Sequence, residues 1–138
     1  MIEQYLWIAG STIFLLLGTL HLLYTFFTNK FSARDANVVS EMKKTYPILT
    51  RQTTMWKAWI GFNAGHSIGA MFFGIINIVI AGQYLNLLKG SYSLLILNFC
   101  VSLFYLFLAK KYWFRTPLTG ILVANCCFAA SITLILLK

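Results

Sequence analysis

Residues 4–29 read QYLWIAGSTIFLLLGTLHLLYTFFTN, and none of these 26 side chains carries a charge. An α-helix needs about 20 mostly apolar residues to cross the hydrocarbon core of a bilayer. The run Ile13–Leu17 is continuously apolar, whereas a strand of a membrane barrel alternates apolar and polar residues. The stretch therefore predicts a transmembrane helix.

The same pattern recurs in residues 58–88, 90–109 and 116–137, which hold 31, 20 and 22 residues without a charge. Only 10% of the chain is charged, against about 25% in soluble domains. We therefore predict one membrane domain over residues 1–138, an all-α integral membrane four-helix antiparallel bundle with short connections. The predicted spans cover residues 5–27, 55–81, 92–109 and 117–137.

The first connection is the longest and has a pattern of its own. Ser32 and Asp35 have the spacing of a capping box, and Pro47 marks a stop. Between them Val38, Val39, Met42 and Tyr46 recur at helical spacing. We predict a short amphipathic helix over residues 33–46, lying on the cytoplasmic membrane surface. An ordinary solvated loop helix is the alternative.

Basic residues are distributed unequally between the two predicted sides of the membrane. The first and third connections and their flanks hold nine of them: Lys30, Arg34, Lys43, Lys44, Arg51, Lys57, Lys110, Lys111 and Arg115. The opposite side holds two, Lys89 and Lys138. The positive-inside rule places the basic loops in the cytoplasm and both termini outside.

The net charge of +8 is better explained by this rule and by anionic lipids than by nucleic acid, because no known nucleic-acid recognition module is present. Membrane lipids are therefore the predicted partners. Arg34, Arg51 and Lys57 are candidate headgroup-binding residues, since cationic side chains form charge-assisted hydrogen bonds with phosphate.

The second predicted span carries a stripe of glycines, Gly61, Gly65 and Gly69, spaced four residues apart. Such spacing lets another helix approach closely. The stripe is a candidate helix-packing face. It would serve either within the bundle or in contact with a second copy or another membrane subunit.

A different face of the second span carries Asn63 and His66. At about 1.5 Å of rise per residue, these two residues and His21, Asn98 and Asn125 of the other spans are all expected about 9–17 Å from the cytoplasmic ends of their helices. The candidate ligand-binding residues are His21, Trp59, Asn63, His66, Asn98, Tyr105 and Asn125. Interhelical hydrogen bonds that only stabilise the bundle are the structural alternative.

Several kinds of chemistry lack the residues they need. No acidic residue falls within a predicted span, which excludes carboxylate relays and di-metal carboxylate sites. Cys100, Cys126 and Cys127 form no C-x-x-C pair. The catalytic residues and any cofactor are thus unknown, and no metal site is predicted. A haem held by His21 and His66 stays as a further hypothesis, beside a lipid or small-molecule pocket and a non-enzymatic assembly subunit.

Two segments together resemble an uncharacterised family of small four-span bacterial membrane proteins. They are His21–Phe27, HLLYTFF, and Thr53–Ser67, TTMWKAWIGFNAGHS, with Lys111–Phe114, KYWF, fitting the same pattern. The resemblance covers most of the chain. It implies a four-span fold in a bacterial inner membrane, and it transfers no activity or catalytic residue.

Overall fold

The computed structural model describes residues 1–137, and Lys138 lies outside them. The described chain is 82% helical and contains no strand. Its helices, in chain order, are α1 (Ile2–Phe27), α2 (Ala36–Lys44), α3 (Met55–Gln83), α4 (Leu85–Gly90), α5 (Tyr92–Tyr112) and α6 (Arg115–Leu136).

Within residues 1–137, four helices are long and apolar enough to cross a membrane: α1, α3, α5 and α6. The prediction of four hydrophobic helices is therefore confirmed. These helices extend beyond the uncharged stretches, so that α5 includes Lys110 and Lys111 and α6 begins at Arg115. Charge alone does not end a helix, because a long basic side chain can lie along the helix and reach a polar region.

The start of α1 corrects one expectation. Because α1 begins at Ile2, it includes Glu3, and this carboxylate is only 1% exposed. Glu3 accepts one hydrogen bond from the Met1 amino group at 3.0 Å and forms an ion pair with Lys89 at 2.8 Å. A buried charge is tolerated when it is paired. One acidic side chain therefore does lie inside a candidate span, in its first turn.

The two short helices were predicted less well. Helix α2 begins after Asp35, whose side chain accepts the N–H of Asn37 at 2.9 Å, and it ends before Thr45. It is thus shorter than the predicted 33–46, because Asp35 itself is the N-cap. Helix α4 was not predicted. Its six residues lie between the second and third predicted spans, where a short connection was expected.

The chain divides into two compact units. The first comprises Met1–Leu17 and the described residues from Ala70 onward, and the second comprises Gly18–Gly69. Helices α1 and α3 each contribute one part to each unit. In the first unit, α5 and α6 pack against each other.

The first unit has an aromatic core. The Trp7 and Phe128 rings meet edge to face at 4.9 Å, and the Phe14 and Phe73 rings do so at 4.8 Å. Such pairs stabilise a core beyond the area they bury. The close helix approach in this unit occurs at Gly74, where an added Cβ would lie 2.7 Å from backbone atoms of α1.

Candidate functional site

Three polar side chains meet in the second unit. His21 Nε2 of α1 lies 2.9 Å from Asn63 Oδ1 of α3. The His66 ring meets the His21 ring edge to face, with centroids 5.3 Å apart. All three side chains are half-buried. The structure therefore brings together the two histidines and the asparagine, which were predicted to share a level.

Helical spacing explains how α3 presents its part of this site. Trp59, Asn63 and His66 follow one another at intervals of four and three residues, so they share a face. The Asn63 amide nitrogen donates to the Trp59 carbonyl at 2.8 Å. This leaves Asn63 Oδ1 facing His21, and it fixes which atom of the amide the imidazole meets.

The connection between α1 and α2 completes the site with Phe31. The Phe31 ring stacks on His21, with centroids 4.2 Å apart and planes 29° apart. The Phe31 carbonyl accepts the Trp59 indole N–H at 3.2 Å. Sequence reasoning missed Phe31, since a lone aromatic in a predicted loop carries no periodicity that would place it.

Two openings adjoin this group of residues. Asn63 lines a narrow cleft of about 20 Å³, which is also bordered by Thr25, Thr28, Phe31, Ser32, Trp56, Trp59 and Ile60. That volume holds about one water molecule. His66 lines the second opening, a wide open groove of about 490 Å³ with Ala58, Gly61, Phe62 and Gly65. Of these two openings, only the groove has room for more than about one water molecule.

The glycine stripe of α3 lies along this groove. Gly61, Gly65 and Gly69 are exposed, and a Cβ added at Gly61 or Gly65 would meet nothing within 4 Å. One of the two predicted uses of the stripe was close helix packing inside the chain. Within the described residues, such close contacts occur at Gly10 and Gly74 of the first unit, and none is seen at Gly61 or Gly65.

The remaining polar candidates belong to the first unit and bond there. Asn98 Oδ1 accepts from Asn77 at 2.7 Å, and Asn77 Oδ1 accepts the Trp7 indole N–H at 2.9 Å. Asn125 Oδ1 accepts from the Ser102 hydroxyl at 2.8 Å. These are the structural hydrogen bonds that membrane helices use. The sequence could have predicted a polar partner for Trp7, because a buried indole N–H needs a hydrogen-bond acceptor.

Tyr105 also lies in the first unit, where its ring contacts the aromatic core. The Phe14 and Tyr105 centroids are 5.3 Å apart. The three candidate headgroup residues, Arg34, Arg51 and Lys57, are exposed on the second unit.

The haem hypothesis does not fit this geometry. A haem ligated by His21 and His66 would have its iron and macrocycle between the two rings. Rings in edge contact at 5.3 Å leave no room for a planar macrocycle there. Within residues 1–137, no three His, Cys, Asp or Glu side chains gather as a metal site would require.

Comparison of the chain with protein-family models, with curated proteins and with solved structures finds no match. What the site does is therefore inferred from its own residues.

Proposed function

We propose that this chain is a multi-pass protein of the bacterial cytoplasmic membrane that binds an amphiphile, either a lipid or a small molecule, at His21, Asn63 and His66. In the proposed topology the four helices cross as an antiparallel bundle, with the basic loops in the cytoplasm and the termini outside. The observation that carries the proposal is the hydrogen-bonded His21–Asn63 pair, with His66 beside it forming the wall of an open groove.

The groove suggests the chemistry of the ligand. It is a shallow, open groove of about 490 Å³. The lining contains one imidazole and no charged residue. An unpaired ion would be costly in such a place. The fitting ligand has a neutral hydrogen-bonding group, such as an ester, carbonyl or hydroxyl, and an apolar part that lies against Gly61 and Gly65.

The test compares molecules that co-purify with the wild type and with His66→Ala and Asn63→Ala, using native mass spectrometry after gentle extraction. We expect both variants to lose the bound amphiphile. Asn98→Ala is the matched control. It also removes one amide of a hydrogen-bonded pair, Asn98 with Asn77, but in the first unit. This variant should lower the stability of the protein and keep the ligand.

Two outcomes would contradict the binding proposal. One is that both variants retain the same molecules and the same thermal stability as the wild type. The other is that all three variants lose bound molecules in proportion to their loss of stability, because then the His–Asn–His group acts only as structural hydrogen bonding.

A second function is favoured by the exposure of the glycine stripe. The three glycines lie on an exposed face, and a Cβ added at Gly61 or Gly65 would meet nothing within 4 Å. Such a face suits close approach by another membrane helix. The chain would then be an assembly protein that packs through Gly61, Gly65 and Gly69 against a second copy or another membrane subunit. Gly65→Leu should dissociate such an assembly.

The control for that variant is Gly82→Leu, in the last turn of α3. Gly82 is also exposed with open space at its Cβ position, but it lies off the stripe. Light scattering of the detergent complexes distinguishes the two functions. A monomeric wild type that carries an amphiphile supports binding. An oligomer that survives His66→Ala and is lost in Gly65→Leu supports assembly.

A further inference from the structure

The segment between α2 and α3 forms a closed loop. The Met55 N–H donates to the Thr45 carbonyl at 3.0 Å, which brings the two ends of residues 45–55 together. Inside the loop, the Thr50 N–H donates to the Pro47 carbonyl at 3.2 Å. Compact surface loops with adjacent ends are frequently functional.

The tip of this loop is apolar. Ile48 is fully exposed and Leu49 is 93% exposed, and Tyr46 next to them is also exposed. The loop closes onto the first residue of α3, a candidate membrane span. Two neighbouring aliphatic side chains without cover, so close to such a helix, have the arrangement of a segment that enters the interfacial region of a bilayer.

Basic residues flank the tip along the chain. Residues 42–57 contain Lys43, Lys44, Arg51 and Lys57 and no acidic residue. Lys44 lies 3.3 Å from the Glu41 carboxylate. Within residues 1–137, no ion pair joins Lys43, Arg51 or Lys57 to an acidic group. Lys43 Nζ lies 5.6 Å from the Trp56 ring centroid at the base of the loop. Basic clusters beside a membrane segment attract anionic lipids.

From these observations we infer that residues 45–55 form a lipid-recognition loop, which inserts Ile48 and Leu49 among the headgroups of an anionic bilayer surface while the surrounding basic residues contact phosphate. The occupant is an anionic phospholipid surface, because an apolar tip flanked by basic residues complements both parts of such a surface. This loop has its own residues and does not depend on the His–Asn–His site.

The test measures the depth of the loop in full-length protein held in lipid nanodiscs. Cys100, Cys126 and Cys127 are first changed to Ser. Spin labels are then attached at Ile48→Cys and, as a control, at Ser40→Cys, an exposed position in α2. We expect the label at 48 to be accessible to oxygen and shielded from a water-soluble nickel chelate. The label at 40 should show the reverse.

Lipid charge provides the second arm. The shielding at 48 should increase when phosphatidylglycerol is added to phosphatidylcholine discs. The triple variant Lys43→Gln, Arg51→Gln and Lys57→Gln should lose that increase. Each basic residue near an anionic surface strengthens binding to that surface roughly fivefold. The ratio of the loop's binding to phosphatidylglycerol discs over its binding to phosphatidylcholine discs should therefore fall roughly fivefold for each charge removed.

Two results would overturn the inference. One is equal nickel accessibility at residues 48 and 40 in both lipids. The other is shielding at residue 48 that is independent of lipid charge and accompanied by dipolar coupling between labels on two copies. In that case the tip contacts a second protein chain and not lipid.

Discussion

Gly74→Ala tests where α1 and α3 are packed most closely. The added Cβ would lie 2.7 Å from the Leu15 nitrogen and the Ser11 carbonyl oxygen, and 2.9 Å from the Leu15 Cβ. Ordinary contact begins at 3.4 Å, so the backbones must separate by the difference, 0.7 Å. Backbone atoms cannot rotate away as a side chain can. Forcing a methyl group into such a contact costs about 1–3 kcal/mol.

Gly65→Ala is the matched control in the same helix, since a Cβ there meets nothing within 4 Å. Alanine stabilises a helix interior by about 0.5–1 kcal/mol over glycine, and this gain applies to both variants. It therefore cancels when they are compared. The free energy of unfolding of Gly74→Ala should be lower than that of Gly65→Ala by the overpacking cost, about 1–3 kcal/mol.

The assay is unfolding in mixed micelles with increasing dodecyl sulfate, followed by circular dichroism at a protein concentration where each variant is monomeric. Equal unfolding free energies for the two variants would refute the reasoning. So would a larger loss at Gly65, because the stripe would then be packed and Gly74 would be open.

The remaining predictions concern single polar contacts. Asn77→Ala should destabilise by about 2–4 kcal/mol because it leaves two buried partners unsatisfied. In a double-mutant cycle, Asn77→Ala combined with Trp7→Phe should cost less than the sum of the two single losses. An additive result would contradict the Trp7–Asn77 bond. Glu3→Gln should destabilise by about 1.5–3 kcal/mol because it removes the buried charge that Lys89 binds. Lys89→Met should recover part of that loss in the double variant, and no recovery would mean that the two side chains are not coupled. His21→Phe keeps a ring that can stack but loses one interhelical hydrogen bond, so thermal unfolding should show a loss of about 1 kcal/mol, and an unchanged stability would contradict that bond.

Four helices could be predicted because the hydrocarbon core sets a minimum length and excludes charge. Uncharged stretches show where such helices lie, but not where they end. Glu3 shows the reason. Its backbone continues α1, and its carboxylate is neutralised by Lys89, which lies 86 residues further along the chain. A partner so distant in sequence leaves no local pattern.

The pairing of the polar groups could not be predicted. Helical rise led to the expectation that His21, Asn63, Asn98 and Asn125 lie at a similar level, but Asn98 bonds to Asn77, which lies 14 residues from Asn63 along α3. Which of them meet depends on helix rotation and on neighbours such as Asn77 and Ser102. Asn63 bonds to His21, whereas Asn98 and Asn125 bond within the first unit.

The polar side chains of the His–Asn–His site and those that bond within the first unit differ in their surroundings, and this difference bears on function. Asn77 and Asn125 are buried, and each amide is saturated by side-chain and backbone partners. Such amides can hold helices together but cannot receive a ligand. His66 is half-buried at the wall of an open groove. A ligand could reach its imidazole without displacing any helix, which is why His66→Ala should affect bound molecules and Asn98→Ala only stability.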